Sequence, residues 1–261
     1  MKTLFIILAF SILSLFNSAD FKLEKTIEVK GDFITTDKLG NIFLVRANNL
    51  IKYNSEGKLL KTFSNLNAGN ISFVDASDPL KILVFYKDFG QLDFLDNTLS
   101  LSGSSIKLAN LKLEQSSLVC TSYNNGFWVY DETNIRLIRI DKLLNISNES
   151  ANISQVSGLE LNPNYLIEQN NFVYLNDPDN GILVFDRYCT YLKTIPFKNL
   201  KSFQIIENSI VFAQDTLLKS YNMESFEENI INISEKKFKS IRIENQKLYI
   251  LTEKGINIYS T

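Results

Sequence analysis

Between Gly40 and Phe63 the chain reads GNIFLVRANNLIKYNSEGKLLKTF: a short apolar run, a break at ANN, a second run, a turn at NSEG and a third run. Period-two patterning in runs this short predicts β-strands, not helices, whose apolar positions recur at i, i+3 and i+4. The same order of elements recurs along the chain. A second strand can be read in NIFLV at 41, KILVF at 81, GFWVY at 126, NFVYL at 171, SIVFA at 209 and KLYIL at 247, each entered through a polar turn (DKLG, SDPL, YNNG, EQNN, IENS, ENQ). A third strand follows, ending at Asn54, Asp96, Asp141, Asp186, Asn222 and Ser260. In each case a large apolar residue precedes a small polar one that can hydrogen-bond the backbone two residues on and start a tight turn.

Those six anchors are 42, 45, 45, 36 and 38 residues apart. Units of about 41 residues with four strands are the signature of a β-propeller blade. The pattern therefore predicts an all-β fold, a six-bladed β-propeller, with blades at roughly 33–64, 71–108, 117–156, 164–197, 202–233 and 238–259. The last unit stops after its third strand, while FKLEKTIEV (residues 21–29) precedes the first inner strand, FITTD. The reading is that this N-terminal strand completes the last blade and closes the ring, removing an exposed edge. The outer strands of the second and third blades are the least distinct; NISNESANIS reads equally as a loop.

The first residues, MKTLFIILAFSILSLFNSAD, carry Lys2, an apolar run from Leu4 to Phe16 and a small polar patch. This is a signal-peptide pattern, too short to span a bilayer comfortably, with cleavage expected after Ala19. The expected organisation is a leader over 1–19 and one propeller domain over 20–261, exported to the periplasm or the outer-membrane surface, with no membrane span.

Composition narrows the function. A net charge of -2 and a pI near 5.4 argue against a nucleic-acid partner. The chain has no histidine, which removes the commonest general base and metal ligand. Cys120 lies in an inner strand and Cys189 in a turn, with no partner base for either, and a disulfide between them is not favoured. NDPDNG at 176–181 offers oxygens to calcium through Asp177, Asp179 and Asn180, but lacks the remaining ligands of an EF-hand loop and serves equally as a turn. No cofactor is implied, calcium being the one candidate ion. The loops joining second to third strands share one face of the ring and hold Asp88, Asp131, Glu132, Asp177, Asp179, Asp215 and Glu253 against Arg46, Lys87 and Lys254. This acidic face is the candidate binding site, suited to a basic protein segment or a cation. Trp128 is expected between blades, and Phe89, Phe127 and Tyr188 are sugar-stacking candidates wherever they face solvent.

The repeat resembles the WD40-like and NHL-like six-bladed propeller superfamilies, without the WD dipeptide or Gly-His signature. Six-bladed lactonases of that group hold a central calcium with Glu, Asn and Asp; the inner strands FITTD, ISFVD, LVCTS, YLIEQ, SFQII and SIRIE show no matching ring. The leader and the Lys-, Asn- and Ile-rich style resemble exported accessory propellers of Gram-negative envelopes with type 9 secretion, and DTL at 215–217 is similar to the O-glycosylation acceptor of those envelopes. The resemblance implies a non-catalytic interaction subunit of an envelope complex with protein partners. The alternative it implies is a calcium-dependent lactonase-like or glycan-active enzyme.

Overall fold

A computed structural model describes residues 21–261; the leader read over 1–19 lies outside them. The described chain forms six four-stranded antiparallel sheets arranged as a six-bladed propeller. The N-terminal strand β1 (Lys22–Ile27) comes first. Blade one is β2 (Phe33–Thr36), β3 (Ile42–Arg46), β4 (Asn49–Tyr53) and β5 (Leu59–Ser64). Blade two is β6 (Phe73–Asp75), β7 (Ile82–Tyr86), β8 (Gln91–Leu95) and β9 (Ile106–Lys107). Blade three is β10 (Ser116–Thr121), β11 (Phe127–Asp131), β12 (Arg136–Ile140) and β13 (Ile146–Glu149), followed by the short helix α1 (Ile153–Ser157). Blade four is β14 (Tyr165–Gln169), β15 (Phe172–Asp177), β16 (Gly181–Asp186) and β17 (Tyr191–Ile195). Blade five is β18 (Phe203–Ile206), β19 (Ser209–Gln214), β20 (Leu217–Asn222) and β21 (Glu228–Ile231). Blade six is β22 (Ser240–Glu244), β23 (Lys247–Leu251) and β24 (Ile256–Ser260), to whose outer edge β1 pairs antiparallel, Lys22 opposite Ser260 through Ile27 opposite Ile256.

The second strands are apolar at nearly every position because both faces of a blade are covered. Phe43 and Val45 pack with Val74, Ile82 and Val84 of blade two, while Ile42 and Leu44 pack with Tyr249 and Leu251 of blade six. Leu83 and Phe85 likewise turn to blade three. Six apolar clusters result, one at each blade–blade interface, and alternate residues of one strand serve two different interfaces. A blade alone leaves both faces bare, so the ring is stabilised as a unit.

The small polar residues that end the third strands act as the sequence suggests. One side-chain oxygen of Asp96 accepts from Thr98 N and Ser100 N at 2.8 and 3.0 Å. Asp141 does the same for Leu143 and Asn145, Asp186 for Tyr188 and Thr190, and Asn54 for Glu56 and Lys58. One expectation needs correction. NISNESANIS is not simply a loop: Ile146–Glu149 pairs with β12 as β13, and Asn152 caps α1 by accepting from Gln155 N. By contrast β9 is only two residues long.

Candidate functional site

The inner strands of blades one, two, four, five and six place side chains on the ring axis, where they enclose a channel of about 1000 Å³; β10 of blade three contributes none of its lining. Four inner strands begin with an aromatic residue, and three of these line the channel: Phe73 in blade two, Tyr165 in blade four and Phe203 in blade five, while Phe33 of blade one packs toward blade two. Phe73 meets Tyr165 edge-on at 5.8 Å between centroids, and Tyr165 meets Phe203 at 5.3 Å. Blades two and four are not neighbours, so the first of these contacts crosses the axis. The three rings form a floor at the strand-start end of the channel. Arg242 ties the floor down, its Nη2 donating to the Tyr165 hydroxyl at 3.2 Å and its Nη1 to Phe203 O at 3.4 Å.

The other end is a mouth made by the turns between first and second strands. Lys38, Glu207, Asn245 and Gln246 line it, and a second cavity of about 460 Å³ continues it past Ser77, Lys81, Tyr123, Asn125 and Asn170. Asn124–Asn125, Asn170–Asn171 and Asn245–Gln246 each adopt positive φ at both positions, the left-handed pair that tight hairpins require and that asparagine tolerates.

Polar side chains on the wall point sideways, to the next blade. Asp75 accepts from Thr121 N at 2.9 Å and Thr121 Oγ1 at 2.6 Å. Glu168 accepts from Ser122 Oγ at 2.7 Å, from Tyr123 N at 3.4 Å and from the indole N–H of Trp128. Gln204 clasps the Ile243 backbone with both ends of its amide, at 3.1 and 2.8 Å. Ser240 Oγ accepts from Ile34 N at 2.9 Å across the last interface. These bonds satisfy groups that would otherwise be costly to leave half-buried. One carboxylate differs. Glu244 is half-buried on the wall, accepts no hydrogen bond among the described residues, and its pKa is raised, first by burial and then by the Asp37 charge, with Lys38 and Arg242 opposing. Four lining acids (Asp75, Glu168, Glu207, Glu244) against Lys38 and Arg242 make the lumen weakly acidic.

The residues singled out from the sequence lie elsewhere. Consecutive hairpin connections alternate ends, so the loops holding Arg46, Asp88, Asp131, Glu132, Asp177, Asp179, Asp215 and Glu253 sit on the face behind the aromatic floor. None of the eight lines either cavity. Two of them are occupied with local structure. Asp131 is buried, which favours its neutral form, yet hydrogen bonds from Asn134 and Arg136 hold its pKa below the usual range. Asp177 is buried and accepts from Asp179 N, Asn180 N and Asn162 N at 3.0, 2.9 and 2.6 Å, the turn-making role open to NDPDNG. Glu253 pairs with Lys239 at 3.1 Å, and Arg46, Asp88, Glu132, Asp179 and Asp215 are exposed. Among the described residues no group of three or more His, Cys, Asp or Glu is placed to hold a metal.

Of the sugar-stacking candidates, Phe127 is buried between blades two and three, because β11 is covered on both faces. Phe89 and Tyr188 are exposed. Trp128 is fully buried between blades three and four. Cys120 and Cys189 share that same apolar cluster as free thiols, burial pushing both pKa values up, Cys189 to about 12. Tyr188 belongs to a ring of exposed apolar residues on the mouth face whose other members the sequence pattern does not single out: Leu39, Leu80, Leu143 and Phe226, all five being 65–72 % exposed. All five sit at the tips of turns, where single apolar residues stand out against polar neighbours.

The fold and its lumen define a six-bladed β-propeller with a channel open on one face. No protein-family model matches the sequence, and no curated protein matches it either. Solved structures do match in fold. Virginiamycin B lyase from Staphylococcus aureus is similar at TM-score 0.62 and 12 % identity, over 92 % of this chain and 99 % of the lyase. A catalytically inactive variant of that lyase, with alanine replacing a histidine and bound to quinupristin, is 14 % identical over 92 % and 89 %, TM-score 0.59. PorZ, a surface component of the type-IX secretion system of Porphyromonas gingivalis, is 15 % identical over 87 % of this chain and 31 % of PorZ, TM-score 0.53. The WD40 domain of Neurospora crassa Pan2 is 11 % identical over 87 % and 74 %, TM-score 0.59. These likenesses establish the propeller architecture.

Proposed function

We propose that the protein is a non-catalytic, exported propeller that binds another protein in the cell envelope through its mouth face, in the manner of an accessory subunit of an export or assembly complex. The observation that carries the proposal is the pairing of exposed apolar turn tips on the mouth face with a channel wall on which Asp75 and Glu168 are engaged in blade–blade bonds. Exposed aromatic and aliphatic side chains on a rigid rim are the usual anchors of a protein interface. The absence of histidine supports the same reading: the similar lyase is described as inactive once a histidine is replaced, and this chain has none to offer. PorZ lends the comparison with secretion. Among the described residues no helix is long and apolar enough to cross a membrane, and an exported propeller needs none.

Affinity capture from detergent-solubilised envelopes tests it, using the wild-type chain beside a variant with Leu39, Leu80, Leu143, Tyr188 and Phe226 changed to Ser. A stoichiometric partner retained by the first and lost by the second supports the proposal. A protein recovered alone, or a partner held equally by both, refutes it. A second reading, a glycan-active enzyme, rests on Glu244, whose raised pKa inside a cavity is the property of a general acid–base residue. Turnover of a glycan or lactone that is lost in Glu244→Gln would favour it.

A further inference from the structure

The interface between blades three and four carries a charge arrangement that packing alone does not explain. Arg139, in the middle of β12, is only 4 % exposed. Its guanidinium donates to Ser122 Oγ at 2.8 Å, to Ser147 Oγ at 2.7 Å and to Tyr123 O, all neutral oxygens. Gly126 makes room for it: a Cβ there would lie 3.0 Å from Arg139 Nη2 and 2.5 Å from Ile140 O. The guanidinium carbon sits 3.7 Å from the Tyr123 ring centre. A second guanidinium, Arg187 in the third turn of blade four, sits 4.2 Å from the same ring and 5.6 Å from that of Tyr188. Two positive charges thus share one tyrosine within about 8 Å of each other, where they repel.

Buried arginines are ordinarily paired with a carboxylate. Here, among the described residues, neither arginine has one within ion-pair distance, and Arg187 Nε is buried without a hydrogen-bond partner. The acids nearby are committed. Asp141 and Asp186 accept the backbone N–H groups of their own turns. Glu149 pairs with Arg136 at 2.7 Å. Glu168 holds Ser122 and Trp128 and reaches Arg139 only through the Ser122 hydroxyl. Tyr188 stands exposed at the edge, and Tyr123 also lines the smaller cavity at the mouth.

We propose that Arg139 and Arg187, stacked on Tyr123 between blades three and four, form a binding site for a carboxylate presented by an acidic side chain or chain terminus of the protein partner. This rests on the protein-binding reading above and names the chemistry it uses there. A guanidinium fork matches a carboxylate with two parallel hydrogen bonds. The flanking tyrosines give the apolar part of the ligand a surface to lie on and offset the desolvation of the cations. Arg139, fixed by three hydrogen bonds, supplies field. Arg187, with free donors at the rim, supplies direct contact.

The test needs no partner. Trp128 is the sole tryptophan, and its indole N–H is linked through Glu168 and Ser122 to Arg139, so it reports on the site together with Arg187 Nε–H. Proton–nitrogen spectra of labelled protein are recorded at constant ionic strength while acetate, acetyl-Phe-Glu-amide, galacturonate, inorganic phosphate or chloride is added. The expected result is saturable movement of both signals with acetate and the peptide, at least tenfold tighter than any response to chloride and tighter for the peptide than for galacturonate. Arg187→Gln abolishes it, and Arg136→Gln, a paired surface arginine, does not. Saturation by phosphate alone overturns the carboxylate assignment, tighter binding of galacturonate overturns the protein source, and a linear, unsaturated response to every salt overturns the site. Failure of the capture experiment with acetate binding intact would leave the site standing and remove the protein partner.

Discussion

If β1 seals the ring, removing it should cost most of the folding free energy, and the size of that loss can be worked from the structure. Strand β1 contacts β24 along a register of five paired residues, with an irregularity between Leu23 and Lys25. Its side chains are largely exposed, apart from Ile27, which with Val29 packs against the blade one–blade six cluster. Thr26 Oγ1 donates to Asn257 Oδ1 at 2.8 Å. The strand therefore acts mainly through backbone hydrogen bonds, each worth about 1 kcal/mol net, or roughly 5 kcal/mol together. Partial burial of the two aliphatic side chains adds about 2 kcal/mol. A loss of about 7 kcal/mol is comparable with the whole stability of a typical domain, roughly 5–15 kcal/mol. At about 2–4 °C per kcal/mol for a chain of this size, the melting temperature should fall by more than about 10 °C. The bare edge of β24 should then pair with another copy. The assay is calorimetry and size-exclusion chromatography on a chain starting at Lys30. A finer probe is Gly255→Ala, whose Cβ would lie 2.1 Å from Ile27 O and which should cost about 1–3 kcal/mol by pushing β1 away. A truncated chain that melts unchanged as a monomer would refute the closure argument.

Three further outcomes follow from the wall of the channel and the blade cores. Glu168→Ala orphans the buried indole N–H of Trp128 and should cost about 1–3 kcal/mol, with a shift in tryptophan emission; Ser122→Ala added to it should cost less than it does alone, since both belong to one network, and full additivity in urea melts would contradict this. Glu244 has its folded pKa raised above the 4.5 of the unfolded chain, so its ionisation opposes folding at higher pH. Glu244→Gln should raise the melting temperature at neutral pH, the gain vanishing as pH falls below the unfolded value, and a gain that persists in acid would exclude burial of the charge as its cause. Cys120 and Cys189 should resist iodoacetamide in the native state at mildly alkaline pH and react only on unfolding, which mass spectrometry reads directly.

The architecture was legible because its determinants are local and repeated. Asp96, Asp141 and Asp186 each follow a third strand, and each turns the chain with one carboxylate oxygen that any such position would use. The six second strands announce burial on both faces by being apolar at nearly every position, and that same feature makes a core aromatic such as Phe127 indistinguishable by pattern from an exposed one. Phe127 belongs to an alternation with no solvent phase, one side facing blade two and the other blade four. Outer strands were harder to read. Ile146–Glu149 pairs through its backbone while its side chains stay mostly exposed, so composition there carries almost no trace of the pairing.

The site was less legible, for a geometric reason. A loop-by-loop tally of charge assigns residues to a face of the ring, and it gathered Asp88, Asp177 and Glu253 onto the face that the aromatic floor closes. Which end of a channel opens depends on contacts between blades that are far apart in sequence, such as Phe73 with Tyr165. No local pattern encodes such a contact, although an aromatic opening four of the six inner strands was there to be seen. The clearest missed signal is Arg139. In RLIRI an arginine occupies a strand covered on both faces, where a charge is expensive unless something answers it. Serine hydroxyls and a backbone carbonyl answer its hydrogen bonds, its charge is felt by Asp141 only at a distance beyond an ion pair, and Arg187 adds a second charge on the same tyrosine. Retaining both is costly for folding alone, which is the physical ground for testing this interface with a carboxylate ligand.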